Sequence, residues 1–126
     1  MRHITRTLPI NTKMPSKREL FEHKCEILQI IASARPDGFT VNICNGFRKE
    51  TKGFAVAYKE TQNSFGSEGL AKVCEHSLKN NNIVGGWLDN GKYYFDSVKV
   101  FSEETEAREF AIEHAQIAYF DLNNVV

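Results

Sequence analysis

Ile83-Val-Gly-Gly-Trp-Leu-Asp-Asn-Gly-Lys-Tyr-Tyr-Phe-Asp96 is the stretch on which the fold turns. At its centre, Asp89-Asn90-Gly91 signals a tight turn of the primed type, because Asn and Gly accept the positive φ angles such a turn demands. The runs Ile83 to Leu88 and Lys92 to Phe101 therefore read as two antiparallel strands. Side chains alternate along a strand, so one face of this hairpin is committed to a core and the other is free. Gly85 and Gly86 mark either a bulge or a place where something approaches the backbone closely. Trp87, Tyr93 and Tyr94 form either a core aromatic cluster or a surface on which a flat ring stacks.

Upstream, Asn80-Asn81-Asn82 closes a helix with Leu70, Val73, Cys74 and Leu78 on one face. This helix starts near Ser67, after the segment Lys59-Glu-Thr-Gln-Asn-Ser-Phe-Gly66, which joins it to the alternating run Phe54 to Tyr58. A strand that ends in a polar loop and resumes as a helix turns free backbone N–H groups outward, a setting suited to an anion or a polar ring. It is equally an ordinary helix start, capped by Asn63, Ser64 or Ser67. Phe39, Val41 and Ile43 alternate with polar residues and read as the antiparallel neighbour of Phe54 to Tyr58, across Asn45-Gly46 and a basic loop from Phe47 to Lys52.

Further out, Ser16 and Glu19 make a capping box that opens a helix over residues 16–35. Its apolar residues are Leu20, Phe21, Ile27, Leu28 and Ile31, and Arg35-Pro36 ends it. Residues 1–15 read as an N-terminal arm or edge strand. On the other side, Ser102 caps a third helix with Ala107, Phe110, Ala111 and His114 inward and three glutamates in its first turn. Gln116 to Leu122 is apolar on both faces, which predicts a centrally placed closing strand. The expected architecture is a single α+β domain over residues 1–126 with its main unit at 38–122. It is a mainly antiparallel sheet of two hairpins plus a closing strand, packed with about three helices.

A chain of 126 residues buries a working core without metal or disulfide support. Net charge is zero, so no overall field favours DNA or an anionic membrane as partner. The charge is polarised: residues 1–50 carry nine bases and five acids, and the rest seven bases and eleven acids. This reads as solvated faces, or as a basic half that meets a phosphate or an acidic neighbour. Cys25, Cys44 and Cys74 are odd in number and lack a Cys-x-x-Cys pair, which fits a reducing cytoplasm. The expectation is a cytoplasmic protein with no leader and no membrane span.

Neither a nucleophile elbow, a Walker loop nor a His-Glu-x-x-His motif occurs, and His3, His23, His76 and His114 share no metal-ligand spacing. No catalytic residue, metal or cofactor is therefore expected. The binding candidates are Gln62, Asn63 and Phe65 in the strand-to-helix loop, Trp87 and Tyr94 in the aromatic hairpin, and Asp96 and Arg108. Asp96 accepts bonds from a ribose or an amino group, or forms a salt bridge to a lysine or Arg108. Arg108 reaches a phosphate with its forked donors, or is plain surface.

The patterns Glu60-Thr-Gln-Asn-Ser-Phe-Gly66, Gly85-Gly86-Trp87, Gly91-Lys-Tyr-Tyr94-x-Asp96 and Gln116-x-Ala118-x-x-Asp121-Leu122 together resemble the Thoeris anti-defence sponge family of phages and mobile elements. The resemblance spans residues 38–122 and leaves the N-terminal helix outside. It implies a small protein that assembles as dimers or higher oligomers. It also implies capture, without cleavage, of cyclic ADP-ribose-type signals and in some members of cyclic oligonucleotides. Two other readings stand beside it: a module that blocks a host protein through the acidic third helix and the aromatic hairpin, and a weak nucleotide hydrolase using Asp96 or a histidine.

Overall fold

The computed structural model describes residues 14–124. Three α-helices and a seven-stranded antiparallel sheet make it up, an α+β fold. Helix α1 (Lys17–Ala34) starts as expected: the Ser16 hydroxyl accepts from the Glu19 N–H and Glu19 reaches back to the Ser16 N–H. Strand β1 (Phe39–Asn42) follows, then β2 (Arg48–Lys49) and β3 (Phe54–Ala57). A 3-10 turn at Lys59–Thr61 leads into a two-residue strand, β4 (Ser64–Phe65), and helix α2 (Gly66–Leu78). Then come β5 (Ile83–Asp89), β6 (Lys92–Phe101), α3 (Glu104–Glu113) and β7 (Phe120–Asp121). The anticipated arm over residues 1–15 lies, but for its last two residues, outside the described residues.

The β5–β6 hairpin is the spine of the sheet. Asn90 and Gly91 take φ of 51° and 80°, as the primed turn requires. Pairing runs unbroken from Asp89↔Lys92 to Ile83↔Val98, so Gly85 and Gly86 mark no bulge. Gly86 is a close-approach position: a Cβ there would collide with the rings of Phe39 and Tyr93.

The strand order is β2-β1-β5-β6-β3-β7, with β4 also on β6. This corrects the expected first hairpin. Phe39–Asn42 pairs with Arg48–Lys49 and with β5, whereas Phe54–Ala57 lies beyond β6. Loop 43–47 is short enough to close locally, so β1 takes its nearest partner, and β3 is left to cross to the far side of the central hairpin. The closing strand is also corrected. It is two residues long and pairs only with β3 at the sheet edge, with Ile117 and Phe120 exposed. Its apolarity on both faces reflects surface, not central burial. Finally, α3 starts after Glu103 and α2 after Phe65, neither with a side-chain cap, so Ser102 and Ser67 do not cap them.

All three α-helices lie on one face of the sheet. Leu28, Leu70, Val73 and Cys74 meet Val41, Val84 and Phe95 in the main core. Ala107 and Ala111 of α3 pack on Val56. The opposite face carries a smaller cluster of Ala55, Ile83, Val98 and Leu122, with no α-helix among its described members. Pairing register decides which side chain goes where: Tyr93 and Phe95 point to the helices, Tyr94 and Asp96 away from them.

Candidate functional site

The open face gathers four of the seven candidate residues. Trp87 pairs directly with Tyr94, and their rings stack with centroids 5.2 Å apart at 25°. On the other side of Tyr94, β4 brings in Phe65, edge-on at 5.7 Å. Lys92, one turn of the pleat from Tyr94, sets its ammonium 4.7 Å from the Phe65 ring. Phe65 and Trp87 remain 47% and 46% exposed, so this aromatic row is a surface feature rather than core.

Asp96 is two residues along β6 on the same face, diagonal to Trp87. It is partly buried, and desolvation pushes its pKa up from 3.8 to about 6, a rise moderated by a hydrogen bond from the Trp87 side chain. Indole offers only a donor, so its N–H points at the carboxylate. None of the salt bridges among the described residues includes Asp96, so the expected pairing with a lysine or Arg108 does not form.

β4 is held in place by buried hydroxyls. Ser64 Oγ donates to the Thr61 carbonyl at 2.8 Å, and Thr61 Oγ1 accepts from the Ser97 N–H at 3.0 Å. Gly69, in the first turns of α2, lies against the Ser64 backbone so closely that a Cβ would sit 2.7 Å from its carbonyl carbon. The loop polarity thus has a structural share: Ser64 is buried, and Asn63 takes φ of 61°, which asparagine tolerates well. Gln62 and Asn63 are exposed, and their side chains make no hydrogen bond among the described residues. Continuing the β4–β6 register by one residue sets Asn63 level with Asp96.

Arg108 does not join this group. It is on α3, with Nε 3.2 Å from the Tyr119 hydroxyl and a guanidinium nitrogen 3.5 Å from Glu104. Tyr119 packs on Phe54, which pairs with Phe101, and Phe101 is seven residue steps along β6, about 23 Å of strand, from Tyr94. Lys92 is the cation the aromatic row has instead.

Another constellation escaped the sequence. Glu60 Oε2 lies 3.6 Å from His76 Nε2 of α2 and 3.8 Å from His114 Nδ1 beyond α3. His76 Nδ1 is 2.8 Å from the buried Ser97 hydroxyl, and the Lys59 N–H donates to His114 Nδ1 at 3.1 Å. Tyr58 packs edge-on against both imidazoles and donates its hydroxyl proton to Asn81. A concavity of about 260 Å³ beside it is lined by Glu60, Lys72, Glu75, His76 and Lys79. No local spacing announces residues 60, 76 and 114 as neighbours; only the tertiary fold joins them. Among the described residues no group of His, Cys, Asp and Glu has the geometry to hold a metal ion.

Cys74 is inert, as its place on the inner stripe suggested: it is fully buried and its pKa is pushed up to about 12, chiefly by desolvation. No helix among the described residues is long and apolar enough to cross a membrane.

The fold and site together define an α+β protein whose sheet is helix-covered on one side and carries an open aromatic row beside a partly buried carboxylate on the other. No protein family, curated protein or solved structure matches the chain.

Proposed function

We propose that this chain is a non-enzymatic binder that sequesters a flat, nucleotide-derived signal of the cyclic ADP-ribose type, with cyclic oligonucleotides as the related class, in phage counter-defence. The observation that carries this reading is the exposed Phe65–Tyr94–Trp87 row with Asp96 beside it. A base stacks on the free face of the row, a contact worth about 1–3 kcal/mol per base. Asp96 accepts from the base or ribose donors, Lys92 meets a phosphate, and Gln62 and Asn63 bring free amides to the rim. Sequestration needs only affinity at stoichiometric protein, with no bond broken. Assembly as a homo-oligomer belongs to the same proposal, since a second copy would enclose a ligand that one open face leaves half in solvent.

Isothermal titration against cyclic ADP-ribose isomers and cyclic dinucleotides tests it. Saturable binding that weakens about tenfold or more in Trp87→Ala, in line with the loss of one stacked base, supports the reading. Absence of heat with every ligand at micromolar protein refutes it. The two imidazoles on Glu60 beside a concavity favour a second reading, acid–base hydrolysis of a nucleotide. Recovering the ligand chemically intact after heating the complex rules out that alternative, and native mass spectrometry counts the subunits.

A further inference from the structure

Away from the aromatic row, a groove of about 310 Å³ runs between the C-terminal half of α1 and the β1–β2 hairpin. Ile30, Ile31, Phe39 and Phe47 line it, and Arg35 and Lys49 also border it. Three observations set it apart from chance surface. First, Ile30 is left 68% exposed on a helix that buries Leu28 and Ala32 against the main core. Second, Phe47 has a φ of 56°, a left-handed conformation that costs a bulky residue about 1–2 kcal/mol. Its ring nonetheless packs against the main core at the groove wall, with Lys24 5.5 Å from the ring centroid. Third, neither Arg35 nor Lys49 has an acidic partner within salt-bridge distance among the described residues. Lys49 is opposite Val41 and so points to the α1 side of the sheet.

We infer that this groove is a second binding site, for a compact amphipathic anion such as a medium-chain or aryl carboxylate. The isoleucine and phenylalanine side chains take the apolar body, and Arg35 and Lys49 take the carboxylate by charge-assisted hydrogen bonds. The volume is at the small end of ligand pockets, which suits a single short chain or one fused ring and excludes a two-chain lipid. The inference stands independently of the nucleotide reading, because no residue of the aromatic row lines the groove.

The test is an amide ¹H–¹⁵N titration of the full chain with octanoate, and in parallel with octanamide as the uncharged control. The expected result is saturable shifts for octanoate at residues 30–35, 38–41 and 47–49, with weaker binding of the amide. Arg35→Gln/Lys49→Gln should weaken octanoate about tenfold and leave octanamide unchanged. Both substituted side chains are exposed, so the variant keeps its fold, which its own spectrum verifies. Lack of saturable shifts up to about 5 mM overturns the proposal. So does equal binding of acid and amide, or octanoate binding that the double variant does not alter. If the groove instead receives an apolar peptide from another protein, the small acid fails to saturate it and the proposal falls by the same measurement.

Discussion

Replacing Asp96 by Asn should stabilise the free protein at neutral pH, and the effect should vanish in acid. The carboxyl is partly buried on the open face, and desolvation raises its pKa from 3.8 to about 6. A raised carboxylate pKa means that the folded state holds the proton more tightly than the unfolded chain. The associated stability is fully present below about pH 4 and is lost as pH rises through about 6. A shift of this size corresponds to about 3 kcal/mol at neutral pH. Residual solvent contact reduces the expected effect to about 1–2 kcal/mol. Asn retains an oxygen to accept from the indole, so Asp96→Asn removes the charge and little else. Urea unfolding followed by circular dichroism, near pH 4 and near pH 7.5, measures the difference between the two proteins. The chain has one tryptophan, so its fluorescence gives a second readout: an inflection near pH 6 in the wild type that is absent in Asp96→Asn. A variant less stable than wild type at both pH values, or an inflection near pH 4, would show a solvated or paired carboxylate and refute the argument.

Gly69→Ala should destabilise by about 1–3 kcal/mol, although the same change in an open helix stabilises, because the new Cβ meets the Ser64 backbone at 2.7 Å. Thermal unfolding measures the loss, and the edge-on contact of Phe65 with Tyr94 should weaken with it as β4 is pushed off β6. Ser16→Ala removes the hydroxyl that accepts from the Glu19 N–H, leaves the Ser16 N–H bond to the Glu19 carboxylate, and should cost about 1 kcal/mol by chemical denaturation, with the aromatic row unaffected. Iodoacetamide should label exposed Cys44 first and leave Cys25 and Cys74 unmodified in the native state, since burial raises both of their pKa values; mass spectrometry of timed samples shows the order.

The parts of the fold that local chemistry dictates were legible in the sequence. Asn90-Gly91 determines the hairpin register, and that register alone puts Trp87 opposite Tyr94 and Asp96 on their face. The Ser16–Glu19 box and the inner stripes of α2 and α3 are local in the same sense. Pairing at a distance was not legible. Nothing in Phe54–Ala57 says that its partner is β6 rather than β1, because a short alternating run satisfies any neighbour with a matching apolar face. Two-residue β4 carries too few side chains to signal a strand at all, yet it delivers Phe65 to the aromatic row. Arg108 illustrates the converse: its chemistry suited a phosphate, but the length of β6 keeps it at the other end of the sheet.

The same logic explains why the open face is the informative one. Where three helices cover a sheet, an aromatic residue is accounted for by burial, as Phe95 and Tyr93 are. On the uncovered side burial supplies no such account. Phe65 and Trp87 are each left nearly half in water, where the apolar area they fail to bury contributes nothing to folding at roughly 25 cal/mol per Å². Asp96 beside them is charged at neutral pH against its own desolvation. Each of these is unfavourable for stability alone, and they occur within one register of two paired strands. A ligand that stacks on the rings and donates to the carboxylate, as proposed above, would relieve both at once. A ligand that binds here must raise the unfolding temperature of wild type more than that of Asp96→Asn, which has no carboxylate charge to satisfy.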